Sequence, residues 1–578
     1  MPTELISLGI LFLCAIIGGI IAARFKQPAV FGLLLVGAVI GPNSLNLVKD
    51  MNMIQMMAEF GAILILFIIG LEFDVSKMMK LGARYILIGL LKFLIIMFLG
   101  YQITLLLGLG AKVALFVGVI LSFSSTVVVV KVLEQKGMFN RKEIPLLIVV
   151  LIIEDVIAVL ALTFFSGIKD SQSGLVQIFE HLLFSITILI VAYLVMMKIL
   201  RYGVNIIMKN SKDDSVLTFL SLAIGALFSY FALALGLTPS AGAFLAGSLI
   251  ASLPNSKEYG AAIQPYVLIF TSVFFIAMGT MVDFKSAKSN LMLIEILVIT
   301  VIISRVLVIG LLTFLFANFK KEQPFFSSIA MMSVGEFSLL VAKESEKFGL
   351  GIDLVTITAV IIFITAVIMS IGINYSEKIY SAFNAKAPMK IRLKSERISD
   401  YFRRFFDQME IEHFTTKKLR RDLKAALLML GILVFGFFAL RRLSFITISE
   451  YGQWTVYVFY AISAASLLYL SNLIYKRLKL IHVTLSSILT NVDSSRSLKK
   501  CTRILNNLFI AGGFLFIAML FPFAMFVFNL SLWTDVLSFT LIVPGIYYLK
   551  KMIDLIDNER RFSNFERSFS AKPAAAKV

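Results

Sequence analysis

Runs of about 20 mostly apolar residues recur along the first 380 positions, the length an α-helix needs to cross roughly 30 Å of hydrocarbon. Thirteen are present, near 3–23, 28–48, 53–71, 84–107, 112–133, 144–166, 176–201, 215–235, 237–252, 263–282, 291–317, 324–346 and 353–376. Backbone in lipid must satisfy its hydrogen bonds internally, so this pattern restricts the chain to a helical, many-spanning membrane fold. Composition agrees: 59% of the 578 residues are hydrophobic, 15% are charged, and mean hydropathy is +0.92. A water-soluble globular protein is excluded.

The net charge of +19 would suggest a polyanion partner on a soluble chain. Here Lys and Arg gather in the loops after odd-numbered segments, sixteen against seven after even-numbered ones. The positive-inside rule then places the N-terminus outside and residue 377 in the cytoplasm, with no nucleic-acid partner expected. The N-terminal MPTELISLGILFLC lacks a basic region and a cleavage site, so it reads as a first span rather than a removed signal. Residues 381–424 form a basic cytoplasmic linker, 425–550 hold about four accessory membrane helices, and 551–578 form a basic tail.

Catalytic chemistry has little to stand on. The cysteines, Cys14 and Cys501, are far apart, and His181, His413 and His482 are scattered. No HExxH, GxxxxGK or GxGxxG run occurs, so zinc hydrolysis, a P-loop pump and a dinucleotide domain lack support. No cofactor, no resident metal and no enzymatic activity are expected.

An internal repeat narrows the reading. Shifted by 210 residues, Pro28–Gly37 (PAVFGLLLVG) falls on Thr238–Gly247 (TPSAGAFLAG), placing Gly32 on Gly242 and Gly37 on Gly247. FIIGLEFD (67–74) matches FIAMGTMVDF (275–284), and Ser122–Thr126 falls on Met332–Glu336. The copies, about 3–166 and 215–376, lie seven spans apart, an odd number, so they cross the membrane in opposite directions. Inverted repeats of this kind build secondary transporters whose sites lie where interrupted helices meet. The candidate interruptions are Ser122, Ser124, Ser125 and Thr126 in the fifth span and Ser333, Gly335, Glu336 and Ser338 in the twelfth, whose hydroxyls can serve freed backbone groups. Glu336 calls for the positive end of a half-helix.

An ionised side chain at the bilayer centre costs about 2.5–3.5 kcal/mol on insertion scales. Glu154 and Asp155 nevertheless stand together in LLIVVLIIEDVIAVLALTFF. Arg305, in the eleventh span, is the expected ion-pair partner, and Lys92 in the fourth span reads as packing or snorkelling before function. A carboxylate facing a watery cavity binds a proton or a small hard cation in competition, and coupling that competition to alternating access gives antiport.

These residues resemble the monovalent cation:proton antiporter superfamily, in its branch of Kef-type and NapA-type proteins. The resemblance rests on LILFIIGLEFD (64–74), LSFSSTVVVVKVL (121–133), Glu154-Asp155, TPSAGAFLAGSLIA (238–251), FFIAMGTMVDF (274–284) and SVGEFSLLV (333–341). It implies an all-α polytopic membrane protein with a 13-helix inverted-repeat antiporter fold over residues 1–380. Two crossed discontinuous helices, a separate dimerisation domain, a homodimer and elevator-like alternating access belong to that picture, with the four C-terminal helices added. Asp155 matches the ion- and proton-binding aspartate. Glu154 takes the preceding position, filled in relatives by Asp, Asn or Gln, and Arg305 that of a basic residue paired with an acid. Ser124, Ser125 and Thr126 match one crossing helix and Glu336 the other. Arg in place of Lys at 305 points to electroneutral exchange. No nucleotide-binding domain follows residue 380, which departs from the Kef type.

The expected function is exchange of a monovalent cation for protons across a prokaryotic cytoplasmic membrane, serving pH homeostasis. Na+ leads and Kef-type K+/H+ exchange is the alternative. The alternative of another class is an exchanger-derived channel or sensor acting through residues 425–578.

Overall fold

The computed structural model describes residues 2–47, 51–72, 83–167, 191–199, 214–386, 498–528 and 540–556, with short breaks inside these ranges and isolated positions at 188 and between 421 and 484. It divides into two compact units, residues 1–385 with 522–530, and 386–521 with 531–578. The described residues are almost all helical.

The first unit begins with α1 (Pro2–Arg24), α2 (Ala29–Ile40), α3 (Met51–Glu72), α4 (Ala83–Leu106), α5 (Ala111–Ser122), α6 (Thr126–Gln135) and α7 (Ile144–Gly167). After a helical stretch at 191–199 come α8 (Asp214–Ala234), α9 (Pro239–Ala251), α10 (Ser256–Thr280), the short α11 (Phe284–Ser289), α12 (Leu291–Phe316), α13 (Gln323–Ala330), α14 (Glu336–Ser345) and α15 (Leu354–Lys386). Twelve of the thirteen sequence segments fall on these helices. The seventh, 176–201, lies mostly outside the described residues. Seven helices among the described residues, six of them in this unit, are long and apolar enough to cross a membrane. Several others are shorter because the chain breaks within the segment, as between α5 and α6 and between α13 and α14.

Close approach of helices in lipid depends on small residues, because lipid is as apolar as the side chains and burial alone drives little association. The repeat glycines supply it. A Cβ at Gly32 would overlap the Gly18 backbone of α1, and one at Gly242 would overlap Phe228 of α8. Gly37 of α2 lies against Ile276 and Gly279 of α10, and Gly247 of α9 lies against Phe67 and Gly70 of α3. A shift of 210 residues for the glycine and 209 for its partners turns the Gly37 contact into the Gly247 contact, so each repeat lends an equivalent helix to the other.

The packing sorts the helices into two bundles. α1, α2 and α3 pack with α8, α9 and α10, whereas α4, α5 and α7 pack with α12, α13 and α14. The first three helices of each repeat thus make one bundle and the rest make the other. Phe67, Phe228 and Tyr259 centre an apolar cluster in the first. All the ionisable residues singled out above belong to the second.

Of the second unit, residues 498–521 of α16 (Leu498–Phe528) and the helix at 540–556 are described most fully. Gly545 packs against Leu515 of α16, and Arg477 pairs with buried Asp422 at 2.8 Å. Most of the linker (381–424), of the apolar runs at 425–440 and 454–475, and of the tail lies outside the described residues.

Candidate functional site

Two helices stop short in the middle of the second bundle. After Ser122 the backbone extends through Phe123, Ser124 and Ser125 before α6 begins, and after Ala330 it turns at Met331 and stays non-helical to Gly335 before α14. The two extended pieces meet as an antiparallel bridge between Ser124 and Val334. The Ser125 N–H donates to the Ser333 carbonyl at 3.0 Å, and the Gly335 N–H donates to the Phe123 carbonyl at 3.2 Å. A Cβ on Gly335 would stand 2.5 Å from the Ser124 carbonyl oxygen, so this approach requires glycine. The serines expected to serve unwound backbone do so: Ser125 Oγ caps α6 by accepting the Val128 N–H, and Ser338 Oγ donates to the Ile120 carbonyl.

Breaking a helix leaves carbonyls bare at one end and N–H groups at the other, with opposite partial charges. Cations face the carbonyl ends. The Arg305 guanidinium of α12 donates to the carbonyls of Leu121 (3.0 Å), Phe123 (2.8 Å) and Met331 (2.8 Å), and to Ser124 Oγ. It therefore ties the ends of both α5 and α13. Lys92 of α4, fully buried, donates to the Ser122 carbonyl (2.7 Å), Ser124 Oγ (2.9 Å) and Glu154 Oε1 (2.5 Å).

Carboxylates face the N–H ends. Glu336 is the first residue of α14 and accepts from Ser125 Oγ at 2.8 Å, as a half-helix start would have it. Glu154 Oε2 accepts the Ser124 N–H at 2.7 Å. Asp155, 2% exposed at mid-α7, accepts from the Thr126 hydroxyl at 3.1 and 3.2 Å. Asp155 and Thr126 thus offer carboxylate and hydroxyl oxygens together beside unwound backbone, the donor type that suits a hard monovalent cation.

The structure brings Glu154, Asp155, Arg305, Ser124, Ser125, Thr126, Ser333, Gly335 and Glu336 to one crossing. One expected pairing is corrected. Among the described residues Arg305 makes no salt bridge with a carboxylate; its hydrogen bonds go to three carbonyls and a hydroxyl, because it stands at the bare ends of two half-helices. The salt bridge to Glu154 is made by Lys92, a residue that the sequence alone assigns to packing or snorkelling before function. The repeat held a signal for Lys92. It lies 213 residues before Arg305, within one helical turn of the repeat offset, on the equivalent helix.

The family model for the sodium/hydrogen exchanger transmembrane region matches residues 9–375. A protein of Bacillus cereus named probable Na(+)/H(+) antiporter GerT is 29% identical over 337 residues, covering 58% of this chain and 88% of that protein. K(+) efflux antiporter 5 of Arabidopsis thaliana is 26% identical over 342 residues; the match covers 58% of this chain and 60% of its own length. Among solved structures, the sodium proton antiporter MjNhaP1 of Methanocaldococcus jannaschii superposes with a TM-score of 0.51 at 15% identity. That match covers 65% of this chain and 98% of the archaeal one, a likeness of fold.

Proposed function

The chain belongs to the family of transmembrane sodium/hydrogen exchangers, and from that premise we propose that it is a secondary transporter exchanging a monovalent cation, Na+ before K+, for protons by alternating access. The observation that carries this reading is Asp155, a buried carboxylate joined to the Thr126 hydroxyl where two broken helices meet. In lipid an acid is retained at such cost for a task. A proton and a cation compete for the same oxygens, so loading one expels the other, and carrying either through the membrane couples their gradients.

The exchange is one for one. Arg305 stays protonated under all ordinary conditions, and the three donors of Lys92 are all spent on fixed acceptors. Asp155 is then the carboxylate that changes cargo, and swapping H+ for a monovalent cation moves no net charge. Na+ leads because the relatives named Na(+)/H(+) antiporters, from Bacillus cereus and Enterococcus hirae, are matched over 88% and 87% of their lengths. The Arabidopsis K(+) efflux antiporter 5 is matched over 60%. By the same reading the protein works as a homodimer in a prokaryotic cytoplasmic membrane with its N-terminus outside. Residues 1–380 form the exchanger, and residues 425–550 form an accessory module.

The test is purified protein in liposomes carrying an imposed proton gradient, followed by a pH-sensitive dye. Added Na+ is expected to collapse the gradient at a rate that does not change when a membrane potential is clamped. A response to K+ alone would reverse the cation order, acceleration by the potential would end the one-for-one stoichiometry, and no response to either ion would overturn exchange.

A further inference from the structure

Glu154 and Asp155 are neighbours on α7, yet their oxygens meet different partners. Both oxygens of Glu154 are committed: Oε1 to the Lys92 ammonium and Oε2 to the Ser124 N–H. Lys92 commits its three donors in turn, two of them to Ser122, the last residue of α5, and Ser124, within the helix break. An ammonium has three donors, so its capacity is filled. Asp155 meets the hydroxyl of Thr126, the first residue after the break.

We propose that Lys92 is a positioning residue which makes Glu154 a tether for the unwound segment and withdraws it from the cation, leaving Asp155 the one ligand of the acidic pair. This deepens the functional reading above and rests on it. The tie runs from α4 through Lys92 to the end of α5, and from α7 through Glu154 to Ser124. With the end of α5 and the middle of the break pinned, Thr126, two residues on, is held opposite Asp155. The tie also balances charge, because the Lys92 cation is neutralised by Glu154 and does not repel an arriving cation. Arg305, on α12, serves the half-helix carbonyls and leaves this task to Lys92.

The two roles for Glu154 separate in a charge-balanced variant. Glu154→Gln leaves Lys92 as an uncompensated buried cation beside the site. Repulsion between that charge and an arriving cation, at an effective dielectric of about 20, is expected to raise the KM for Na+ about tenfold or more. Lys92→Gln/Glu154→Gln removes both charges, and replacing a buried pair by neutral groups is tolerated far better than removing one member.

The experiment measures KM and Vmax for Na+ in proteoliposomes of the full chain. If Glu154 is a tether, the double variant, whose two amides keep hydrogen-bonding groups at both positions, recovers most of the affinity lost in Glu154→Gln, to within about threefold of the unsubstituted protein. If Glu154 is a cation ligand, the double variant stays as weak as the single one, and the proposal is overturned. A purely structural role would lower Vmax through loss of folded protein and leave KM in place, which overturns it equally. Should the double variant fail to fold, Lys92→Arg keeps the charge and the donors and is expected to hold KM within about threefold; a rise above about tenfold refutes the tether. Asp155→Asn, run alongside, reports on the functional reading by itself. A double variant that does not recover while Asp155→Asn is dead ends the tether and leaves exchange standing.

Discussion

Asp155→Asn abolishes Na+-driven proton movement, leaving liposomes that respond no faster than protein-free ones. Asparagine has the same size and still offers an oxygen to the Thr126 hydroxyl, so the 3.1 and 3.2 Å contacts lose little geometry. What disappears is the negative charge and the ability to take up a proton, the two properties the exchange needs. At a buried site a lost charge interaction of a few kcal/mol corresponds to a rate loss on the order of a hundredfold or more. The protein itself is expected to purify and melt much like its parent, because a neutral amide at a buried position costs less to desolvate than a carboxylate. Flux and thermal unfolding measured on one preparation check both halves, and retained exchange would remove Asp155 from the mechanism.

Arg305→Leu has the opposite signature, a collapse of the fold around the crossing. The substitution leaves the carbonyls of Leu121 and Met331 without this donor, and Phe123 with the Gly335 N–H alone. Each buried acceptor left unpaired costs about 1–3 kcal/mol, against a total stability of about 5–15 kcal/mol for ordinary domains. The expected outcome is a fall in melting temperature of roughly 10 °C or loss of the monodisperse species, read by fluorescence-detected size exclusion across a heating series. Arg305→Lys is expected to rescue only part of this. One compact ammonium cannot span carbonyls at the ends of both α5 and α13 as the planar fork does. Arg305→Leu protein as stable as its parent would mean that the guanidinium does not hold the half-helices.

Much of this arrangement was legible in the sequence because it is written in local chemistry. Gly32, Gly37, Gly242 and Gly247 were visible as a repeat, and their close helix contacts are what made glycine necessary there. Glu336 could be assigned to a half-helix start because a carboxylate inside an apolar run needs a positive environment, and it heads α14. Ser124, Ser125 and Thr126 marked the first break for a similar reason.

Pairing was harder to read, because it depends on which face of which helix meets which neighbour. Arg305 was matched to an acid by sign of charge alone, which overlooks the carbonyl ends created by the breaks, themselves strong acceptors. Lys92 sits among apolar neighbours with nothing local to distinguish a buried lysine from a snorkelling one. Its partner Glu154 lies 62 residues along the chain.

The central claim is that a proton and a cation displace one another at Asp155. The direct measurement is proton release when Na+ is added to purified protein in weakly buffered detergent solution, at a pH low enough that the exchanging carboxyl begins protonated. The account predicts a burst of protons that saturates with Na+, approaches one per cation bound, and vanishes in Asp155→Asn. Na+ binding that releases no protons, or a burst that persists in Asp155→Asn, would contradict it.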